Sequence, residues 1–100
     1  MPALRHIVPV SLNYEEGDPR IQEFFDAAKK LLSAIPYVQE YHHYKQTQTE
    51  TSFQYGFVLE FKSEEDFQKF FNHPNELEFT EKHWNAAVKD FLDCNFVEFD

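Results

Sequence analysis

Three side chains in this 100-residue sequence could move a proton together: the imidazole of His6, the carboxyl of Glu76 and the phenol of Tyr55. A neutral imidazole, with a reference pKa near ~6.5, can act as a base around neutral pH, and a carboxyl or phenol can return the proton. His83 follows Glu76 by two helical turns, so it shares that side of the helix and could help hold a ligand without touching Glu76. Each residue also has an ordinary explanation. A buried histidine is commonly just satisfied, here by Tyr55 or Glu76, and a glutamate in a first helical turn simply complements the helix dipole.

Other chemistries have less to work with. His42 and His43 are adjacent on an expected strand and point to opposite faces, so they cannot share a metal, and no ligand-spacing motif exists elsewhere. Neither a metal nor a cofactor is expected. Cys94 lacks a setting that would favour thiolate and reads as a small packed residue. With only Gly17 and Gly56, no glycine-rich phosphate loop can form.

These side chains need elements to aim them. Alternation of His6, Val8, Val10 and Leu12 with Arg5, Ile7, Pro9 and Ser11 predicts a first strand. Asp18 and Pro19 open a helix carrying Ile21, Phe24, Phe25, Ala28, Leu31, Leu32 and Ile35, and Pro36 stops it. A strand over 37–48, a turn at Gln48-Thr49-Glu50-Thr51-Ser52 and a strand over 52–61 follow. Tyr55, Phe57, Leu59 and Phe61 share one face of the latter. Ser63 caps a short helix with Phe67, Phe70 and Phe71. His73-Pro74 ends it and opens the next, and the His73 ring is placed to bond the backbone at that break. Leu77, Trp84, Val88 and Phe91 form one stripe of this second helix, and 95–99 supplies a last strand.

The order β-α-β-β-α-β predicts an α+β, ferredoxin-like domain spanning residues 1–100, with two helices on one face of a four-stranded antiparallel sheet. The first strand is central in that topology, yet Pro9 has no N–H for a ladder bond, so a distortion is expected beside it. Phe24, Phe25, Phe57, Leu59 and Phe70, with His83, would wall a space between helices and sheet suited to a small apolar or aromatic molecule, with His6 and Glu76 at its polar end. The competing expectation is a non-catalytic protein whose aromatic residues only pack.

Composition narrows the partners. Eighteen acidic against nine basic residues give a formal charge of −9, which repels nucleic acid and anionic membranes. One cysteine, no signal-like start and no run near the ~20 apolar residues of a membrane span point to a reducing, cytoplasmic setting. Twelve Phe, five Tyr and one Trp exceed what one small core hides, so a second copy of the chain is expected to cover the excess.

Taken with RHIV at 5–8, FVLEFKSEEDFQKFFNHP at 57–74, LEF at 77–79 and the hydrophobic C-terminal strand, the sequence resembles the stress-responsive A/B barrel family. The resemblance implies two ferredoxin-like subunits packed sheet against sheet as a dimeric α/β barrel. The family includes plant polyketide cyclases that use a histidine and a tyrosine as base and acid, without a cofactor, in a pocket between helices and sheet. Here Glu76 stands at the place of the histidine that follows His-Pro and Phe70 at the place of the tyrosine, while His6 matches a pocket histidine of the first strand. The alternative function is therefore a cofactor-independent enzyme, cyclase-like or monooxygenase-like, using His6 and Glu76.

Overall fold

Along Leu4–Leu12 the period-two pattern is sharp: Leu4, His6, Val8, Val10 and Leu12 are buried on one side, while Arg5, Ile7 and Pro9 turn to the other. In the computed structural model of the protein, which describes residues 3–48 and 50–99, this strand, β1, is central. On one flank it pairs antiparallel with β3 (Tyr55–Phe61), in register from Leu4↔Phe61 to Val10↔Tyr55. The outer strand β2 (Val38–Lys45) then pairs with β3. On the other flank, β4 (Val88–Phe91) pairs near Val10–Leu12 and β5 (Cys94–Val97) pairs with Leu4–Ile7. The order β2-β3-β1-β4, with β5 continuing the line of β4, is the ferredoxin-like sheet that the sequence predicts.

Pro9 accounts for the split in that fourth position. Its carbonyl accepts the Leu92 N–H at 3.0 Å, so its backbone polar groups face the β4/β5 flank and leave the Pro9↔Gly56 pairing on the β3 side undisturbed. Lacking an N–H, Pro9 returns no bond, and regular pairing lapses between Phe91 and Cys94. A register shift at Ser11/Leu12 adds a second irregularity. The distortion expected beside Pro9 is present. Two boundaries need correction. Val88 and Phe91 continue a helical stripe in sequence but lie in β4, and the last strand begins at Cys94 rather than Asn95 and ends at Val97. Backbone groups left open along Val10–Leu12 reward pairing more than a longer helix would.

Helix α1 (Pro19–Leu32) starts under Asp18, whose carboxylate accepts the Arg20 N–H at 2.9 Å, and buries Phe24, Phe25, Ala28 and Leu32. It ends before Ile35, which is buried in the following turn with its N–H on the Leu32 carbonyl. Helix α2 (Glu64–Phe71) is capped by Ser63, and α3 (Pro74–Phe79) by the His73 ring, whose Nδ1 accepts the Asn75 N–H at 3.1 Å. The His73-Pro74 pair is thus a helix start, as expected. The chain then runs through a π-helical turn, Thr80–Trp84, and a last α turn, Asn85–Ala87. Of the turn predicted at 48–52, Thr49 lies outside the described residues, and β3 begins at Tyr55, later than expected.

The helices pack on one sheet face around rings such as Phe61 and Phe67, 5.4 Å apart, and Phe24 and Phe79, 5.3 Å apart. The register puts His42, Tyr44, Val58, Ile7 and Phe96 on the opposite face, which no helix among the described residues covers. Phe96 is 56% exposed there. Among the described residues, no helix is long and apolar enough to cross a membrane.

Candidate functional site

Between the sheet and the helices lies a cleft of about 380 Å³ that opens to solvent. Strand alternation supplies one wall, with His6 and Val8 from β1 and Phe57 and Leu59 from β3. The helical wall is Leu32, Phe70, Phe71, Glu76, Leu77 and Phe79, continued by Thr80 and Trp84 of the π turn. Phe91 and Asp93 close one side where the last strand is interrupted.

His6 is 7% exposed. Its ring packs at 4.8 Å from Phe67 and 5.9 Å from Phe71, and its Nδ1 meets Asn95 Oδ1 at 2.7 Å and Asp93 Oδ1 at 3.3 Å. An ionised carboxylate can only accept, so the neutral ring carries its proton on Nδ1. Nε2 then presents a lone pair, with no hydrogen-bond partner among the described residues. The expected partners of His6, Tyr55 or Glu76, are replaced by Asn95 and Asp93. Pairing of β1 with β5 sets Asn95 directly beside His6, and the interruption opposite Pro9 frees Asp93 to turn in.

Glu76 stands in the first turn of α3, aimed by Pro74 and the His73 cap. One of its oxygens accepts the Thr80 hydroxyl at 2.9 Å. Desolvation pushes its carboxyl above the usual range, against the opposing hydrogen bond from Thr80. His6 and Glu76 thus line one cleft, joined by Phe57, Leu59 and Phe70 of the sequence-predicted set.

The other candidates lie elsewhere. Tyr55 pairs with Val10, four residues along β3 from the Leu59 that faces His6, a separation of about 13 Å at the usual strand rise. It packs on Phe25 at 5.2 Å and borders a separate polar depression with Tyr14, Glu16 and Lys45. Phe25 stays with Tyr55 and His43, while Phe24 backs the cleft from within the core, 6.0 Å from Phe57. His83 stacks on Phe79 at 5.9 Å and does not line the cleft. Its displacement follows from the π turn: i→i+5 bonding inserts an extra residue, so the position two turns after Glu76 passes to Trp84. Trp84, Thr80 and Asp93 line the cleft although sequence periodicity did not place them there; the sequence signal available for Asp93 was Pro9 on the facing strand.

His42 and His43 do point to opposite faces. His42 stacks on Tyr44, whereas His43 packs on Phe25 and bonds the Tyr41 hydroxyl at 3.0 Å. Burial pushes the Tyr41 phenol up, and desolvation, helped by Lys29 and opposed by Asp26, pulls His43 down. Cys94 is a half-buried free thiol. Among the described residues no group of three or more His, Cys, Asp or Glu side chains is arranged to hold a metal ion.

Comparison with known proteins agrees with this architecture. The sequence model of the Stress responsive A/B Barrel Domain family, Dabb, matches residues 4–98. A Dabb-family protein with a ferredoxin-like fold from Mesorhizobium loti superposes with a TM-score of 0.95 at 26% identity, with 100% of each chain covered. A hydroxynitrile lyase from Passiflora edulis superposes at 0.85 with 20% identity, covering 99% of this chain and 95% of its own. A dimeric ferredoxin-like protein of unknown function from Thermobifida fusca superposes at 0.82 with 18% identity, covering 97% of this chain and 92% of its own. Among curated proteins, none matches the sequence.

Proposed function

The chain belongs to the stress-responsive A/B barrel domain family, and from that premise we propose that it works as a homodimer that binds an apolar or aromatic small molecule in the cleft between helices and sheet. The observation that carries this is the cleft itself: an aromatic-walled space of about 380 Å³, open to solvent, with a nearly buried histidine in its wall. A volume of a few hundred Å³ with few polar groups is the usual make-up of a small-molecule site. The uncovered sheet face bearing Ile7, Val58 and Phe96 supports the dimer, as does the dimeric state of the T. fusca protein of the same fold. The test is NMR of the His6 ring and fluorescence of Trp84 during titration with a panel of aromatic compounds. Binding shifts both; a panel that disturbs neither residue removes the proposal.

A second function has its own support. His6 Nε2 as base and the desolvated Glu76 carboxyl as acid form a pair able to shuttle a proton without a cofactor. That pair suits a cyclase-like or monooxygenase-like enzyme, and the P. edulis hydroxynitrile lyase is an enzyme built on this fold. A tyrosine-dependent cyclase mechanism is disfavoured, because Phe70 puts an apolar ring in the cleft wall.

A further inference from the structure

The polar side chains of the cleft are unbalanced in a way that specifies its ligand more narrowly, given the ligand-binding function proposed above. Among the described residues its ionisable members are His6, Glu76 and Asp93, and no lysine or arginine lines it. His6 lines the cleft, and in the neutral ring, whose Nδ1 proton goes to Asn95 and Asp93, Nε2 is an acceptor. Glu76 has one oxygen engaged by Thr80 and the other free, and that bond uses up the Thr80 hydroxyl proton. Asp93 is a half-exposed acceptor at the rim. Against these three acceptors, the described lining side chains offer one uncommitted donor, the indole N–H of Trp84. The rest of the lining is largely aromatic, with Phe57, Phe79, Phe91 and Trp84 among it.

A ligand carboxylate would meet two carboxylates and a lone pair. An alcohol could give one proton and would leave acceptors unserved. A primary ammonium brings three donors and a positive charge to carboxylates in a partly water-excluded space, and aromatic faces attract the same charge. We infer that the cleft selects a hydrophobic organic ammonium ion, an amine on an aromatic or alkyl body, over the alcohol of the same shape, and rejects the corresponding acid. Glu76 is the principal counter-charge, with Asp93 supporting it from the rim. Because burial makes the Glu76 carboxyl costly to ionise in the empty cleft, a cation there also relieves a penalty that a neutral ligand leaves in place.

The test compares 2-phenylethylamine, 2-phenylethanol and phenylacetate by quenching of Trp84, the single tryptophan of the chain. It is run near pH ~7, where the amine is charged, and at about 0.15 M salt, which screens general attraction to the acidic surface. The amine is expected to bind at least about tenfold more tightly than the alcohol, with the acid weakest. Glu76→Gln is expected to abolish that preference, bringing the affinities of amine and alcohol to within about twofold of each other. The inference is overturned if alcohol or acid binds as well as amine, if the preference survives both Glu76→Gln and the double variant with Asp93→Asn, or if none of the three binds. Failure here and failure of the cleft as a binding site are separable, since the wider panel of neutral aromatic compounds, read at His6 and Trp84, decides the latter alone.

Discussion

Half-buried and hydrogen-bonded once, the Glu76 carboxyl holds its proton more tightly in the folded chain than in the unfolded one. For a carboxyl raised in this way, the native state binds more protons between the two pKa values, so stability falls as pH rises through that interval. Glu76→Gln keeps the acceptor for Thr80 and removes the charge, so it is expected to raise the melting temperature at neutral pH. The gain should vanish in acid below the ordinary glutamate range, where Glu76 is neutral in both states. Thermal melts of the two proteins across pH check this, and a neutral-pH melting temperature at or below wild type contradicts it. His43 has the opposite sign: its lowered value means the unfolded chain takes up protons first, so its contribution is lost as pH falls. Phe24, 3% exposed among Phe25, Phe57, Phe79 and Trp84, is expected to cost about 3 kcal/mol or more on Phe24→Ala in denaturant melts. A loss below about 1 kcal/mol would mean the cleft had collapsed to fill the gap. His6, Phe57 and Leu59 were legible from alternation alone, and Glu76 from the helix start at Pro74. Tyr55 was misplaced because it shares their face but not their end of the sheet, and one strand's periodicity carries no information on distance along it.

At the level of elements, local signals performed best where the chain touches mainly itself. Asp18, Ser63 and His73 each cap the helix their positions forecast, because capping is a bond across two or three residues. The misread elements are those decided from far away. The chain leaves the helix at Val88 to reach the open flank of β1, and it breaks at Leu92 because of a proline some eighty residues earlier. The π turn at Thr80–Trp84 has no such distant cause visible in its residues, but it can be tested. Since i→i+5 bonding holds one residue more than an α turn, deleting the exposed Glu81 should convert the turn to α-helix with its two ends unmoved. Trp84 should then keep its emission maximum and its response to ligands, with the melting temperature close to wild type. Emission shifted toward that of solvent-exposed tryptophan would show that the extra residue is needed to place Trp84 in the cleft.

For the molecule as a whole, the decisive surface is the sheet face that no helix among the described residues covers, with Ile7 and Val58 paired near its centre, Tyr44 on the β2 edge and Phe96 beside Arg5 on the β5 edge. A partly apolar face of this kind, on which Arg5, Glu40 and Glu60 also stand, was inferable on a phenylalanine-rich chain from composition and topology together, whereas the geometry of a partner seated on it was not. Light scattering is expected to give twice the chain mass at micromolar concentration. Phe96→Glu places a charge on the β5 border of that face and should yield a folded monomer with the cleft intact. A wild-type monomer would overturn the dimer, and a variant that remains a dimer would move the contact elsewhere. The interruption opposite Pro9 bears on assembly in another way. β4 and β5 have four residues each, so along this border the sheet never offers a long unbroken row of backbone groups on which a foreign strand could lie down. The proline that deprives the ladder of one bond thus also withholds, along the β4/β5 border, a long template of the kind on which cross-β fibres grow, and leaves β2 as the longer of the two open borders.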